Sequence, residues 1–211
     1  MVKRVKFTPK ELKKPDKFRE AIAEAIVVIS ENYVKILFAL GIIIVTTVGA
    51  LAIRSSFEGN KLEANSKFSE AMKSYTDGNK KDALNKLLLV RKEYPREDIS
   101  KIALYYAADI NYEMGKYDQA ISLFNDFLGS GVKDEMLRDA AYFTLGLANF
   151  NKGNWQNAID TLSKLDTQGS PYEDQAKLHV ALSLEKLGKL DEAEEIYKQL
   201  LTRYSGGNPE F

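Results

Sequence analysis

The chain has 211 residues, 45% of them apolar, with 30 Lys+Arg against 30 Asp+Glu. That is enough for one large or two small ordinary cores, and zero net charge excludes a wholesale electrostatic nucleic-acid binder. No cysteine and a single histidine exclude disulfides, thiol nucleophiles, Cys-ligated zinc and an N-terminal lipid anchor on cysteine. With 13 Gly and 5 Pro, little is left for a turn-rich β fold, so helices are expected throughout.

The first 35 residues form a basic leader. Thr8-Pro9-Lys10-Glu11 reads as a capping-box start with Pro at the first helical position. Phe18, Ile22, Ala25, Ile26, Ile29 and Tyr33 then recur at helical spacing, opposite Arg19, Glu20, Glu24 and Glu31. Two readings stand side by side: an amphipathic helix on the cytoplasmic leaflet or on a partner, and an extension of the helix that follows.

Residues 36–53 (ILFALGIIIVTTVGALAI) contain no charge, Asn, Gln or His. As a helix they span about 27 Å, the thickness of a bilayer's hydrocarbon core. Only Thr46 and Thr47 carry side-chain hydroxyls there, and both can bond back to carbonyls of the preceding turn. Ala50-Leu51-Ala52 looks like a cleavage site, but the leader is too long for a signal peptide, so an uncleaved anchor is expected. Nine Lys and Arg precede the span, giving residues 1–35 a charge of +4 and leaving −4 for residues 54–211. Basic residues are retained on the cytoplasmic side, so the N-terminus is expected inside and the C-terminal domain outside.

From residue 60 to 211 the chain repeats. Gly78, Gly115, Gly153 and Gly188 stand 37, 38 and 35 residues apart. Seven positions before each comes a small residue (Ala71, Ala108, Gly146, Ala181), and five after each an alanine (Ala83, Ala120, Ala158, Ala193). Small side chains let two helices cross closely. Lys80, Tyr117, Trp155 and Leu190 follow two after the glycine. Leu87, Phe124, Leu162 and Tyr197 stand nine after it, and Val90, Phe127, Leu165 and Leu200 twelve after. These read as the inward stripe of a second helix. Each unit is thus a helix, a left-handed Gly cap and an antiparallel helix, with Asp82 or Asp118 complementing the second helix's dipole. Links at 129–133 and 167–171 are longer than the spacing strictly needs.

The runs G-K-Y-D-Q-A-I-S-L-F at 115–124, G-N-W-Q-N-A-I at 153–159 and G-K-L-D-E-A-E-E-I-Y at 188–197, with Pro95 closing the first unit, resemble the tetratricopeptide repeat. The expected fold is all-α: one N-terminal transmembrane helix, then an α-solenoid of about four helical hairpins.

No catalytic constellation is legible. His179 reads as a solvent-facing or core-edge residue, the helix-turn glycines lack a phosphate-loop context, and Asp134-Glu135 and Glu192-Ala193-Glu194-Glu195 read as solvated helix faces. Neither a cofactor nor a metal, a nucleic acid or a small-molecule substrate is expected. What remains is a binding surface on the first helices. Ten and three residues before each glycine stand Phe68 and Tyr75, Tyr105 and Tyr112, Phe143 and Phe150, then Leu178 and Glu185. The six rings either close the inter-repeat core or line an apolar groove for peptide segments. No Lys or Arg belongs to the set, which argues against a clamp for a C-terminal carboxylate. Leu200, Leu201 and Tyr204 would leave an apolar end that meets a partner or is covered by the tail 205–211.

The leader's K-E-L-K-K-P-D-K-F (10–18), the single anchor and the outer repeat domain together resemble the YfgM-like family of ancillary SecYEG translocon subunits. The resemblance implies a bacterial inner-membrane protein, anchored in lipid through residues 36–53. Its periplasmic domain would meet translocon subunits, periplasmic chaperones or client segments and help pass emerging proteins to chaperones. The alternative is a scaffold in another envelope complex: a secretion system, a pilus or an outer-membrane assembly.

Overall fold

A computed structural model describes residues 17–165 and 169–205, and their side chains except those of 52–57 and 205. The Thr8–Glu11 cap, most of the 10–18 motif, part of the 167–171 link and the tail 206–211 lie outside the described residues. The chain divides into two compact units, Met1–Phe57 and Glu58–Phe211.

In the first unit the described residues are helical, as part of α1 (Lys17–Thr76). The helix enters at Lys17 and passes through 18–35 into 36–51 without a break, so Phe18, Ile22 and Tyr33 continue the apolar helix. Lys17–Leu51 is long and apolar enough to cross a membrane, and none of its most apolar stretch is buried by protein. A helix that is apolar all round, with Phe38 and Val45 each more than 70% exposed, suits hydrocarbon rather than water. The Thr46 hydroxyl donates to the carbonyls of Ile42 (2.9 Å) and Ile43 (3.0 Å), and that of Thr47 to Ile43 (2.7 Å). Both polar groups are thereby satisfied within the helix, as lipid requires.

The second unit begins in the last turns of α1. It continues through α2 (Lys80–Glu93), α3 (Asp98–Glu113), α4 (Tyr117–Gly129), α5 (Glu135–Lys152) and α6 (Trp155–Leu162), then a 3₁₀ turn at Ser163–Leu165, α7 (Glu173–Lys186) and α8 (Leu190–Ser205). No strand occurs among the described residues. From α2 to α8 each helix packs on the next, and the first helices of successive hairpins, α3 with α5 and α5 with α7, also touch. That is the contact pattern of a solenoid.

The four turns share one geometry. Each glycine has φ between 71° and 86°. At the second turn the Gly115 N–H donates to the Tyr112 carbonyl and the Lys116 N–H to that of Asn111, both at 2.9 Å. This pair of bonds is a Schellman cap, and it recurs at Gly78, Gly153 and Gly188. It satisfies carbonyls the helix end would otherwise leave open, and a β-carbon at this φ would be strained.

Beyond each turn the chain crosses over itself. Ala71, Ala108 and Ala181 on the first helices, and Ala83, Ala120, Ala158 and Ala193 on the second, are at most 1% exposed. At Gly146 an added Cβ would lie 2.4 Å from Leu162 Cγ, so this crossing is closed by Leu162 itself. Leu87, Phe124 and Leu162, and Val90, Phe127 and Leu165, are fully buried. They belong to three clusters, two of which join a hairpin to the first helix of the next.

Two parts of the expected inward stripe depart from it. Lys80, Tyr117 and Trp155 are only half-buried, because Tyr117 and Trp155 lie against Tyr112 and Phe150 at the end of the first helix rather than beneath it. In the fourth hairpin Leu190 is exposed and Tyr197 and Leu200 half-buried. Among the described residues no further helix packs on α8, so its outer side chains keep their contact with water.

Candidate functional site

Residues i, i+3, i+4 and i+7 share one helix face, which is the relation of Tyr105, Asp109 and Tyr112 on α3 and of Phe143, Leu147 and Phe150 on α5. All six expected rings are half-buried, each with one side against a core cluster. Phe68 and Tyr75 pack on the first cluster, Tyr105 and Tyr112 on the second, Phe143 and Phe150 on the third. The fourth unit differs: Leu178 is 42% exposed and Glu185 exposed.

The rings form a chain of contacts. Phe68 tilts against Tyr106 at 5.9 Å between centroids, and Tyr106 meets Tyr105 edge-on at 5.4 Å. Tyr105 reaches inward to Phe124 and Phe127 at 5.8 and 5.4 Å. Phe143 stacks on Tyr172 at 4.9 Å, and the His179 ring stands edge-on to both Phe143 and Phe150. Such geometries hold aromatic surfaces in fixed orientations.

Polar contacts tie the hairpins together in register. The Tyr75 hydroxyl donates to Glu113 Oε1 at 2.7 Å, and one repeat later Asn151 Nδ2 donates to the Tyr112 hydroxyl at 3.2 Å. The bond to Glu113 keeps the Tyr75 phenol protonated and pushes its pKa up to about 12. Lys80 Nζ lies 3.1 Å from the other oxygen of Glu113, and Lys152 pairs with Asp118.

Two titratable groups lie beside these rings: Asp109, which the sequence pattern does not single out, and His179, which it marks as solvent-facing or core-edge. Asp109 is half-buried between Tyr105 and Tyr112, and burial raises its carboxyl to about 6, with Glu113 pushing the same way and Lys80 opposing. Its place midway between two stripe positions was the available signal. His179 is a core-edge residue whose Nδ1 is buried with no hydrogen-bond partner among the described residues. Burial lowers its pKa. The carboxylates considered as solvated faces serve the helices: Asp134 caps α5 by accepting the Leu137 N–H at 3.0 Å, while Glu194 pairs with Lys198. Among the described residues no cluster of His, Asp or Glu could hold a metal ion.

At the C-terminal end Leu201 and Tyr204 are exposed, and Leu200 is half-buried. Arg203 fastens α8 to α7 through Glu173 (2.8 Å) and Asp174 (2.7 Å), and the Tyr204 hydroxyl donates to Asp174 at 2.8 Å.

A family model described as a tetratricopeptide repeat-like domain matches residues 29–208, a span that takes in the apolar segment as well as the hairpins. Among solved structures, MamA AMB-1 is similar at 20% identity over 70% of this chain and 76% of its own, with a TM-score of 0.59. MamA 41-end from Desulfovibrio magneticus RS-1 is similar at 16% identity over 69% and 77%, with a TM-score of 0.57. A Podosopora anserina protein of nearly identical TPR-like repeats gives 16% identity over 70% and 77%, with a TM-score of 0.56. At these identities the likeness concerns the fold alone. No curated protein matches the chain.

Proposed function

The chain belongs to the tetratricopeptide repeat-like domain family, and from that premise we propose that it is a membrane-anchored protein-binding module at the bacterial Sec translocon. Residues 36–53 hold it in the inner membrane, the basic leader 1–35 stays in the cytoplasm, and the repeat domain 60–211 faces the periplasm. There it assists the hand-over of translocated proteins to periplasmic chaperones, as the resemblance to the YfgM-like family implies. The observation that carries the reading is one chain that joins a helix apolar on every side to stacked hairpins with half-buried rings on their first helices. The first feature supports a membrane anchor, and the second supports Phe68, Tyr75, Tyr105, Tyr112, Phe143 and Phe150 as a groove for apolar peptide segments. Repeat folds of this kind typically act as binding scaffolds rather than enzymes.

Two measurements test the reading. A reporter fused after Phe211 should be active only in the periplasm, and the chain should keep its leader. Photo-crosslinkers at Ile43 and Phe143 in intact cells, read by mass spectrometry, should capture translocon subunits from the first position and chaperones or clients from the second. Capture of secretion, pilus or outer-membrane assembly subunits instead would assign the chain to another envelope scaffold.

A further inference from the structure

Among the described residues, Asp109 on this face of α3 is an acid whose carboxylate has no hydrogen bond or ion pair of its own. Glu113, a turn later, accepts from Tyr75 and pairs with Lys80 at 3.1 Å. No hydrogen bond or ion pair reaches the Asp109 carboxylate among the described residues. It nevertheless sits half-buried, and its charge acts on the phenols of Tyr75 from α1 and of Tyr105 and Tyr112 from its own helix. Tyr117 of α4 lies behind Tyr112, and Tyr172 adds its influence on Tyr105. Among the described residues Lys80 is the cation that acts on Asp109, and Glu113 holds it. A carboxylate placed among rings and left without a partner opposes folding, since burial disfavours its charged form.

Resting on the groove reading above, we propose that this part of the groove recognises a Lys or Arg within an apolar segment of the partner protein, the cation seated on Asp109 between the faces of Tyr75, Tyr105 and Tyr112. Charge complementarity selects this occupant. The acid has no hydrogen bond or ion pair among the described residues, Glu185 adds a second acid at the position of the fourth unit that matches Tyr112, and aromatic faces attract cations. An acidic segment would meet repulsion from Asp109, and a purely apolar one would leave its charge buried and unpaired.

The test uses the full chain in detergent micelles and three fluorescent peptides that differ at one central residue, Lys, norleucine or Glu, between Leu and Phe neighbours. At pH 7.5 the Lys peptide is expected to bind at least tenfold tighter than the norleucine peptide, with the Glu peptide weakest. At pH 5, where Asp109 is largely protonated, the preference should shrink. Asp109→Asn should bring the Lys peptide down to the norleucine level, and Asp109→Glu should restore much of the difference, with circular dichroism confirming that each variant is folded. Equal binding of the Lys and norleucine peptides by the unaltered protein, or a Lys preference that survives Asp109→Asn, overturns the proposal while leaving the groove in place. If Tyr112→Ser with Phe150→Ser changes the binding of no peptide, or if none of the three binds, the groove reading fails and takes this proposal with it.

Discussion

The helix crossings and the proposed groove face lie on the same first helices, yet they are built on opposite terms. At the crossings the side chains are small and almost wholly removed from water: Ala71, Ala108 and Ala181 share their clusters with Ala83, Ala120 and Ala193, and all are at most 1% exposed. On the groove face they are large and only half-buried, one side against a core cluster and one side toward solvent. Size at the crossing is limited by the distance between two backbones, whereas on the proposed groove face the outer side of each ring is open among the described residues. Substitutions should therefore read as stability at the crossings and in the second-helix stripe, and chiefly as binding in the groove.

The largest effect expected is at Phe124, whose ring is fully buried. Phe124→Ala should cost about 3–5 kcal/mol, enough to abolish a cooperative melt at moderate temperature. Next come Ala120→Leu and Ala158→Leu, where overpacking should cost about 1–3 kcal/mol. Gly146→Ala belongs with them, since its methyl collides with Leu162. Combining it with Leu162→Ala, which removes the colliding Cγ, should recover the clash part of the loss relative to Leu162→Ala alone, which a melting curve of the double variant would show. No recovery would mean that the clash is relieved elsewhere.

Groove substitutions should be milder. Tyr112→Ser and Phe150→Ser remove rings that are only half-buried, so about 1–2 kcal/mol each is expected, with retained helicity and lost peptide binding. Losses near those of Phe124→Ala, with binding retained per folded molecule, would make these rings core and remove the contrast.

Two titrating groups give the smallest effects, with opposite pH dependence. Asp109 has a folded pKa raised to about 6 from the ordinary 3.8, so the folded state binds the proton more tightly than the unfolded one. The stability it contributes is present at pH 4 and is lost as pH rises through 6. Asp109→Asn should hence melt higher than the unaltered protein at pH 7.5, by about 1 kcal/mol after allowance for solvent screening, with the gap closing toward pH 4. His179 is shifted the other way, its folded pKa lowered by burial against Phe143 and Phe150. Its contribution is present above the unfolded value of about 6.5 and falls away below it. In His179→Phe that acid-side loss should vanish from melts taken between pH 7.5 and 5.

By itself the sequence determined the helical class, the apolar segment, the four turns and the crossings. Each is set by local chemistry or by a spacing. A left-handed cap needs glycine at Gly115 or Gly153, a crossing needs alanine or glycine at fixed distances from it, and an 18-residue stretch without a charge has few soluble alternatives. The tertiary structure decided how far each ring is buried, because that depends on what the neighbouring hairpin places against it. Tyr105 meets Phe124 and Phe127, Phe143 stacks on Tyr172, and Leu190, at the end of the stack, meets water. It also decided which acids of the proposed groove have partners. Glu113 and Asp109 are both acids one turn apart on α3, and the approach of Tyr75 and Lys80 from the preceding hairpin supplies partners to the first, while among the described residues the second has none.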